Sequence, residues 1–372
     1  MKVLFWVSLS LIFFTYAGYP IWLYFRARFR PHPARPARIC PSVTVVLAVW
    51  NEEKYLSAKL QNLDALDYPA DRLQIVVVSD GSTDETNTYL AAWEKRGRQA
   101  VVLPRHFGKA TALNHGVAKA TGEIVVFTDA RQSIATDSLM NLVANFADPT
   151  VGCVSGELII SQESSSSSAN GFGLYWRVEK KIRHWESLAG SVVGATGSFY
   201  AVRRNLLSPL PAETILDDMF IPFQVVRQGQ RVIFEPCAVA LDRLSNGPRR
   251  EFRRKVRTLA GNYQLLRLAP WILTRSNPLQ LQFICHKLLR LLVPFALAGL
   301  LVSSIWLRPD LYRFIFGLQI VFYGLATLSI FRSKFGIVSR LADISLAFVV
   351  LNLAAAVAFL YFITGKKAVW AR

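Results

Sequence analysis

Four short apolar runs in this chain each end on polar side chains that could do chemistry. VTVVLAV (43–49) leads to Asn51 and Glu52, and LQIVVVS (73–79) leads to Asp80. AVVLP (100–104) leads to Arg105 and His106, and EIVVFT (123–128) leads to Asp129. Continuous β-branched runs of this length read as strands buried on both faces of a parallel sheet. Ligands of open α/β sheets bind at the carboxyl ends of the strands. Any one of these polar residues alone reads as a turn or cap; four at one edge form a constellation. Further on, Asp217 and Asp218 adjoin, and pairing two carboxylates raises the pKa of one, which suits a base. No GxGxxG follows the first run and no GxxxxGK[ST] occurs anywhere. The glycine-rich cradles of dinucleotide and P-loop folds are therefore absent. An anionic ligand must be held by Lys109, by arginines or by a metal.

The elements between these runs are helical. Leu56, Leu60 and Leu63 share one helix face, and Gly108–Lys119 reads as a second helix. Asp80-Gly81-Ser82 is a turn, with Ser82 or Thr83 able to cap the helix that follows. The resulting βαβαβαβ order predicts a parallel sheet in an α/β layer fold. Ser164–Ser168, followed by Asn170, Gly171 and Gly173, reads as a flexible surface loop.

Composition places this domain at a membrane. Of 372 residues, 52% are hydrophobic and only 18% charged, yet the net charge is +18. The apolar content excludes disorder. Cys40, Cys153, Cys237 and Cys285 are far apart, with no CxxC; they suggest neither a zinc site nor a disulfide framework and fit a reducing compartment. Val3–Phe25 has no charged residue and is long enough to cross a hydrocarbon core. The segment after it carries Arg26, Arg28, Arg30, Arg35 and Arg38, which puts that side in the cytosol. Three more apolar stretches follow: Leu291–Leu307, Phe314–Phe331 and Ile344–Gly365. Lys366, Lys367 and Arg372 would then lie outside, against the positive-inside rule, so the number of spans and the side of the C-terminus stay open. The expected division is a transmembrane helix (1–25), a basic linker (26–42), an α/β domain (43–265) and an interfacial segment with about three more spans (266–372). The location expected is the inner or plasma membrane, multi-pass, with a cytosolic domain. Anionic lipid heads account for the basic residues beside the spans, so no nucleic-acid partner is expected. Oligomeric state is not legible.

One basic stretch differs from the rest. Arg249–Arg257 holds six basic residues and one acid. Phe252, Val256, Leu259 and Tyr263 share one helical face, and Arg250, Arg254 and Arg257 another. This pattern predicts an amphipathic helix lying on the membrane surface.

Taken together, the motifs VLAVWNEE (46–53), VVVSDGSTDET (76–86), HFGKATALNHG (106–116), EIVVFTDA (123–130), GATGSFYAVRR (194–204), LDDMFIPFQVVRQGQRVIFEP (216–236) and RRKVRTLAGNYQL (253–265) resemble a known family in order and spacing. The chain looks like a membrane-integrated family 2 glycosyltransferase, the group of hyaluronan, chitin, cellulose and poly-N-acetylglucosamine synthases and their smaller relatives. The resemblance implies a GT-A fold: a Rossmann-like mixed, mostly parallel sheet with flanking transmembrane helices. It implies an inverting transfer of a hexose or N-acetylhexosamine from a UDP-sugar to a hydroxyl acceptor in exopolysaccharide or cell-envelope glycan synthesis, with non-processive transfer to a lipid acceptor at the cytosolic leaflet as the alternative.

The resemblance also implies roles by position. Asn51, Glu52 and Asp80 would line the nucleoside pocket, with Lys109 on the nucleotide sugar. Asp129 matches the first aspartate of the DxD motif and would hold Mg²⁺ or Mn²⁺ against the diphosphate. Asp217-Asp218 matches the TED-type motif, with Asp218 the general base. Thr196 and Gly197 match the acceptor-side GTG segment. Arg254 and Arg257 match the QxxRW segment, with Arg257 on the diphosphate. Two departures stand out. Arg131 replaces the second aspartate of DxD, which leaves either a metal with fewer protein ligands or an arginine supplying part of its charge. Thr258 replaces the tryptophan of QxxRW, which puts processive polymer synthesis in doubt. A non-catalytic sugar-nucleotide-binding scaffold is the alternative that Arg131 favours.

Overall fold

The computed structural model describes residues 1–95, 97–161, 168–243, 248–330 and 336–365. Most of the expected serine-rich loop, and the charges Arg332, Lys334, Lys366, Lys367 and Arg372, lie outside the described residues.

The chain starts with α1 (Lys2–Phe29), a long apolar helix. An extended basic segment then runs along the domain, where the Ala37 amide donates to the Ala144 carbonyl at 3.1 Å and the Arg35 amide to Asp148 at 3.3 Å. The α/β order follows: β1 (Val43–Val49), α2 (Glu53–Asp64), β2 (Leu73–Asp80), α3 (Thr86–Trp93), β3 (Arg98–Leu103), α4 (Lys109–Lys119) and β4 (Ile124–Thr128). After it come β5 (Ser133–Ile134), α5 (Ser138–Ala144), β6 (Val151–Ser161), α6 (Ser168–Leu188), β7 (Phe199–Arg203), α7 (Asp217–Arg227), β8 (Arg231–Arg243) and α8 (Pro248–Leu268). The chain ends in α9 (Gln280–Trp306), α10 (Asp310–Ile330) and α11 (Gly336–Thr364).

The sheet order is β3-β2-β1-β4-β7-β6-β8-β5. β3, β2, β1 and β4 run parallel, β4–β7, β7–β6 and β8–β5 are antiparallel, and β6–β8 is parallel. Alternation along the strands fills two cores. Val46, Phe127 and Tyr200 point to one, and Val45, Leu47, Val126 and Phe199 to the other. Burial on both faces is why the strands read as unbroken apolar runs. The chain leaves β1 toward β2 on one side, while β4 lies on the other. That reversal opens a crevice at the carboxyl edge.

Among the described residues, four helices are long and apolar enough to cross a membrane: α1, α9, α10 and most of α11. α8 has the amphipathic pattern expected, but its apolar stripe does not face lipid. Val256, Ala260 and Tyr263 pack against Leu291 on α9 and Ala354 and Ala358 on α11. A protein surface of equal apolarity covers the stripe that the sequence assigned to the bilayer.

Candidate active site

The crevice is built from four turns. Asn51 adopts a left-handed conformation (φ 54°), which asparagine tolerates better than most residues. Its side-chain oxygen accepts from the Thr83 amide at 2.8 Å, and its own amide donates to Ser82 Oγ at 3.1 Å. The turn after β1 is thus fastened to the turn after β2. Asp80 is only 2% exposed. Its oxygens accept from the Phe107 and Gly108 amides at 2.8 Å each, and His106 Nδ1 lies 2.8 Å away. Gly81 lets the two turns meet: at φ 65°, a Cβ here would fall 2.2 Å from the Arg105 carbonyl carbon. Asn51 and Asp80, expected to line the nucleoside pocket, also fasten the turns of this edge to one another. Glu52 is half-buried at the start of α2. Beside it, Trp50 stacks on His106 with ring centroids 4.3 Å apart.

The second group gathers around Lys109 at the start of α4. Its ammonium lies 3.0 Å from Asp129 Oδ1 and 3.2 Å from Asp217 Oδ1. Burial alone would lower its pKa, but these carboxylates hold it above the ordinary lysine value. Tyr200 donates to Asp217 Oδ2 at 3.1 Å. Asp218 is half-buried beside this cluster; burial and Asp217 push its carboxyl up to about 6, against the pull of Lys109 and Arg183. Gly197 abuts it: a Cβ at 197 would stand 2.8 Å from Asp218 Oδ2. Sequence positions 109, 129, 196–197 and 217–218 therefore share one site.

Arg131 is the main correction. It was a candidate to supply part of a metal's charge, but its guanidinium is committed elsewhere. Nε and Nη2 reach the two oxygens of buried Asp242 on β8 at 3.0 and 2.6 Å. A planar fork closed on a carboxylate has few donors left for phosphate. Lys59 lies beneath the same turn. It is 2% exposed and donates to Thr128 Oγ1 at 2.9 Å and the Gln132 carbonyl at 2.6 Å. Burial pushes its pKa down to about 7, with Asp129 pulling it back up. Lys59 carried a legible signal, since it falls on the Leu56–Leu60–Leu63 stripe where an apolar residue belongs.

Arg254 and Arg257 lie on α8, half-buried and exposed respectively. One turn after Arg257, Gly261 brings α8 against the loop that enters α7; a Cβ there would meet the Leu216 side chain at 2.5 Å. Gln264 Oε1 accepts from the Ile215 amide at 3.0 Å. α8 and the paired aspartates are thus held in register.

Among the described residues, no three His, Cys, Asp or Glu side chains gather as a metal cage. Asp129 nevertheless fits part of one. Lys109 occupies only its Oδ1, and its side chain is 38% exposed. A single open carboxylate oxygen suits a hard divalent ion that takes its other oxygens from a diphosphate.

Residues 44–210 match the family model described as Glycosyl transferase family 2. These residues form a family 2 glycosyltransferase domain. Relatives include the beta-monoglucosyldiacylglycerol synthase of Synechocystis sp., 30% identical over 48% of this chain and 39% of the relative. The poly-beta-1,6-N-acetyl-D-glucosamine synthase of Staphylococcus aureus is 26% identical over 60% of this chain and 55% of the relative. The chain thus spans roughly half the length of these curated relatives or less. Among solved structures, a mannosyltransferase from Pyrobaculum calidifontis, in complex with GDP-Man and Mn²⁺, superposes with a TM-score of 0.73. It is 26% identical, and the match covers 98% of this chain and 99% of that one. The mixed sheet of this family 2 domain is the GT-A fold.

Proposed function

We propose that the chain is an inverting membrane glycosyltransferase that moves a sugar from a nucleoside diphosphate donor to a hydroxyl acceptor in cell-envelope glycan or glycolipid synthesis. The observation that carries this reading is Lys109 bridging Asp129 and Asp217, with Asp218 and Gly197 alongside. A cation at the sheet edge meets the leaving diphosphate, and a carboxylate of raised pKa meets the acceptor.

Asp218 takes the proton from the acceptor hydroxyl. That oxygen attacks the anomeric carbon in line, the bond to the diphosphate breaks, and the nucleoside diphosphate leaves with the electron pair. One displacement inverts the anomeric configuration. Lys109, with Arg257 from α8, stabilises the charge growing on the leaving group. The exposed Trp50–His106 pair offers a flat face to the nucleoside base. Asp129 would hold a divalent ion, whose chemistry is neutralisation of the diphosphate. The family resemblance points to a UDP-sugar, whereas the mannosyltransferase of full coverage was solved with GDP-Man. The catalytic domain lies on the cytosolic side of the inner or plasma membrane, anchored by α1 and α9–α11; its acceptor is a glycan or a lipid.

The test is nucleoside diphosphate release by the purified full chain, with Mg²⁺ or Mn²⁺ and a panel of labelled UDP- and GDP-sugars. Product is then sorted into lipid-soluble and polymeric fractions. Turnover with one donor is expected. Nucleotide binding without turnover of any donor would leave the scaffold reading standing instead.

A further inference from the structure

A second group of charged side chains lies buried where α6 meets the membrane helices. His286 of α9 sits between two carboxylates of α6, with Nδ1 2.8 Å from Glu186 and Nε2 3.0 Å from Glu179. All three residues are at most 5% exposed. Lys287 and Arg290, also of α9, reach Glu179 at 3.2 and 2.7 Å. Tyr19 of α1 donates to Glu186 at 2.7 Å. Burial would raise the Glu179 carboxyl, but His286, Lys287 and Arg290 hold it well below the usual carboxylate range. Glu179 is therefore an ionised anchor shared by α6 and α9. Buried charges of this kind are kept only when partnered, and removing one partner leaves the rest exposed to the full desolvation cost.

Arg183 connects this anchor to the active site. One turn along α6 from Glu179, its Nε is 3.8 Å from Glu179 Oε1. Its Nη1 donates to Thr196 Oγ1 at 2.6 Å. Thr196 is further fixed by Ser155, whose Oγ accepts from the Thr196 amide at 2.8 Å. Gly197 then touches Asp218. Among the described residues, Nη2 of Arg183 has no protein partner, and the side chain is 18% exposed. Apart from Arg183, the cluster sets Glu179 and Glu186 against Lys287 and Arg290, with His286 between the carboxylates. The catalytic group holds three carboxylates against Lys109. Arg183 stands between a cluster whose charges balance and a group with an excess of carboxylates.

We propose that Arg183 is an acceptor-positioning residue: the Glu179–His286 anchor on the membrane helices fixes its guanidinium, which sets Thr196-Gly197 beside Asp218 and offers Nη2 to an acceptor oxygen. The membrane helices and the acceptor half of the site form one mechanical unit. The turns after β1 and β2, which carry Asn51 and Asp80, are fastened to one another instead. This inference rests on the glycosyl-transfer reading and predicts a loss confined to the acceptor.

The test uses the full chain in nanodiscs with the donor found by the panel. Dioleoylglycerol vesicles and short β-linked oligosaccharides serve as acceptor probes. For Arg183→Gln, the acceptor KM rises about tenfold or more, and the ratio of transfer to donor hydrolysis by water falls by a similar factor. Arg183→Lys restores most of that ratio, because one ammonium can still reach Thr196. Glu179→Gln shifts the ratio in the same direction with a lower melting temperature. Affinity for UDP or GDP alone stays within about twofold in every variant. A transfer-to-hydrolysis ratio unchanged in Arg183→Gln would overturn the proposal. So would a parallel loss of nucleotide affinity in both Arg183 variants, which would mark the residue as merely structural. Absence of any turnover in the unsubstituted protein would instead overturn the enzyme reading, leaving nucleotide affinity as the separate readout.

Discussion

The donor edge and the acceptor side of this site are built by different means. Asn51, Asp80, Lys109 and Asp129 come from consecutive strand–turn units and are fixed by neighbouring turns, with Lys109 also reaching Asp217 of α7. Asp218, Thr196 and Arg183 come from α7, a loop and α6, and their support reaches His286 and Tyr19 in the membrane helices. The donor edge is local in sequence. The acceptor side is assembled from distant segments and tied to α9 and α1. On the proposed function, this division would let a donor meet the sheet edge while an acceptor meets the part of the domain tied to the apolar helices.

Substitutions on the two sides should separate them. The largest effect is expected at the base, where Asp218→Asn lowers transfer by about 10²–10⁴-fold, the usual contribution of a positioned proton acceptor. Lys109→Met comes next. It leaves three carboxylates facing the donor diphosphate, and both donor affinity and rate should fall, the rate by about 10²–10³-fold. Gly197→Ala pushes a methyl group to 2.8 Å from Asp218 Oδ2. It should reduce transfer by about tenfold through a displaced base while nucleotide affinity is kept.

The pH profile sharpens the same contrast. Asp218 works ionised, and its carboxyl is pushed up to about 6. Transfer kcat/KM should therefore be flat above that value and fall about tenfold per pH unit below it. Because Lys109 pulls this pKa down, Lys109→Met should move the limb to higher pH. Arg131→Met tests the smallest effect on chemistry. It removes the charge partner of Asp242, at 6% side-chain exposure, leaving the Gln132 amide, and should cost about 3 kcal/mol of stability in denaturant melts. Donor KM should change little, because the guanidinium faces β8.

What the sequence made legible follows the same division. The strands of the donor edge and the polar residues behind them could be read from β-branched runs and turn residues, because their partners lie one turn away. Asn51 and Asp80 were legible as members of the edge, but not as its fasteners, since their partners are backbone amides of other turns. The place of Arg131 stayed open in the sequence because Asp242, its partner, lies 111 residues further along the chain. Arg183 and His286 gave no signal, because each looks like an ordinary helix residue until α6 and α9 pack together. The stripe of α8 was legible as apolar, but periodicity does not distinguish lipid from α11 as its cover.

The most direct test pairs two measurements on Asp218→Asn in the intact chain: transfer rate with the identified donor, and equilibrium affinity for the free nucleoside diphosphate. Transfer reduced at least a hundredfold with nucleotide affinity unchanged is the expected result. Transfer within about threefold of the unsubstituted protein would contradict the assignment of Asp218 as the base and, with it, the acceptor side described here.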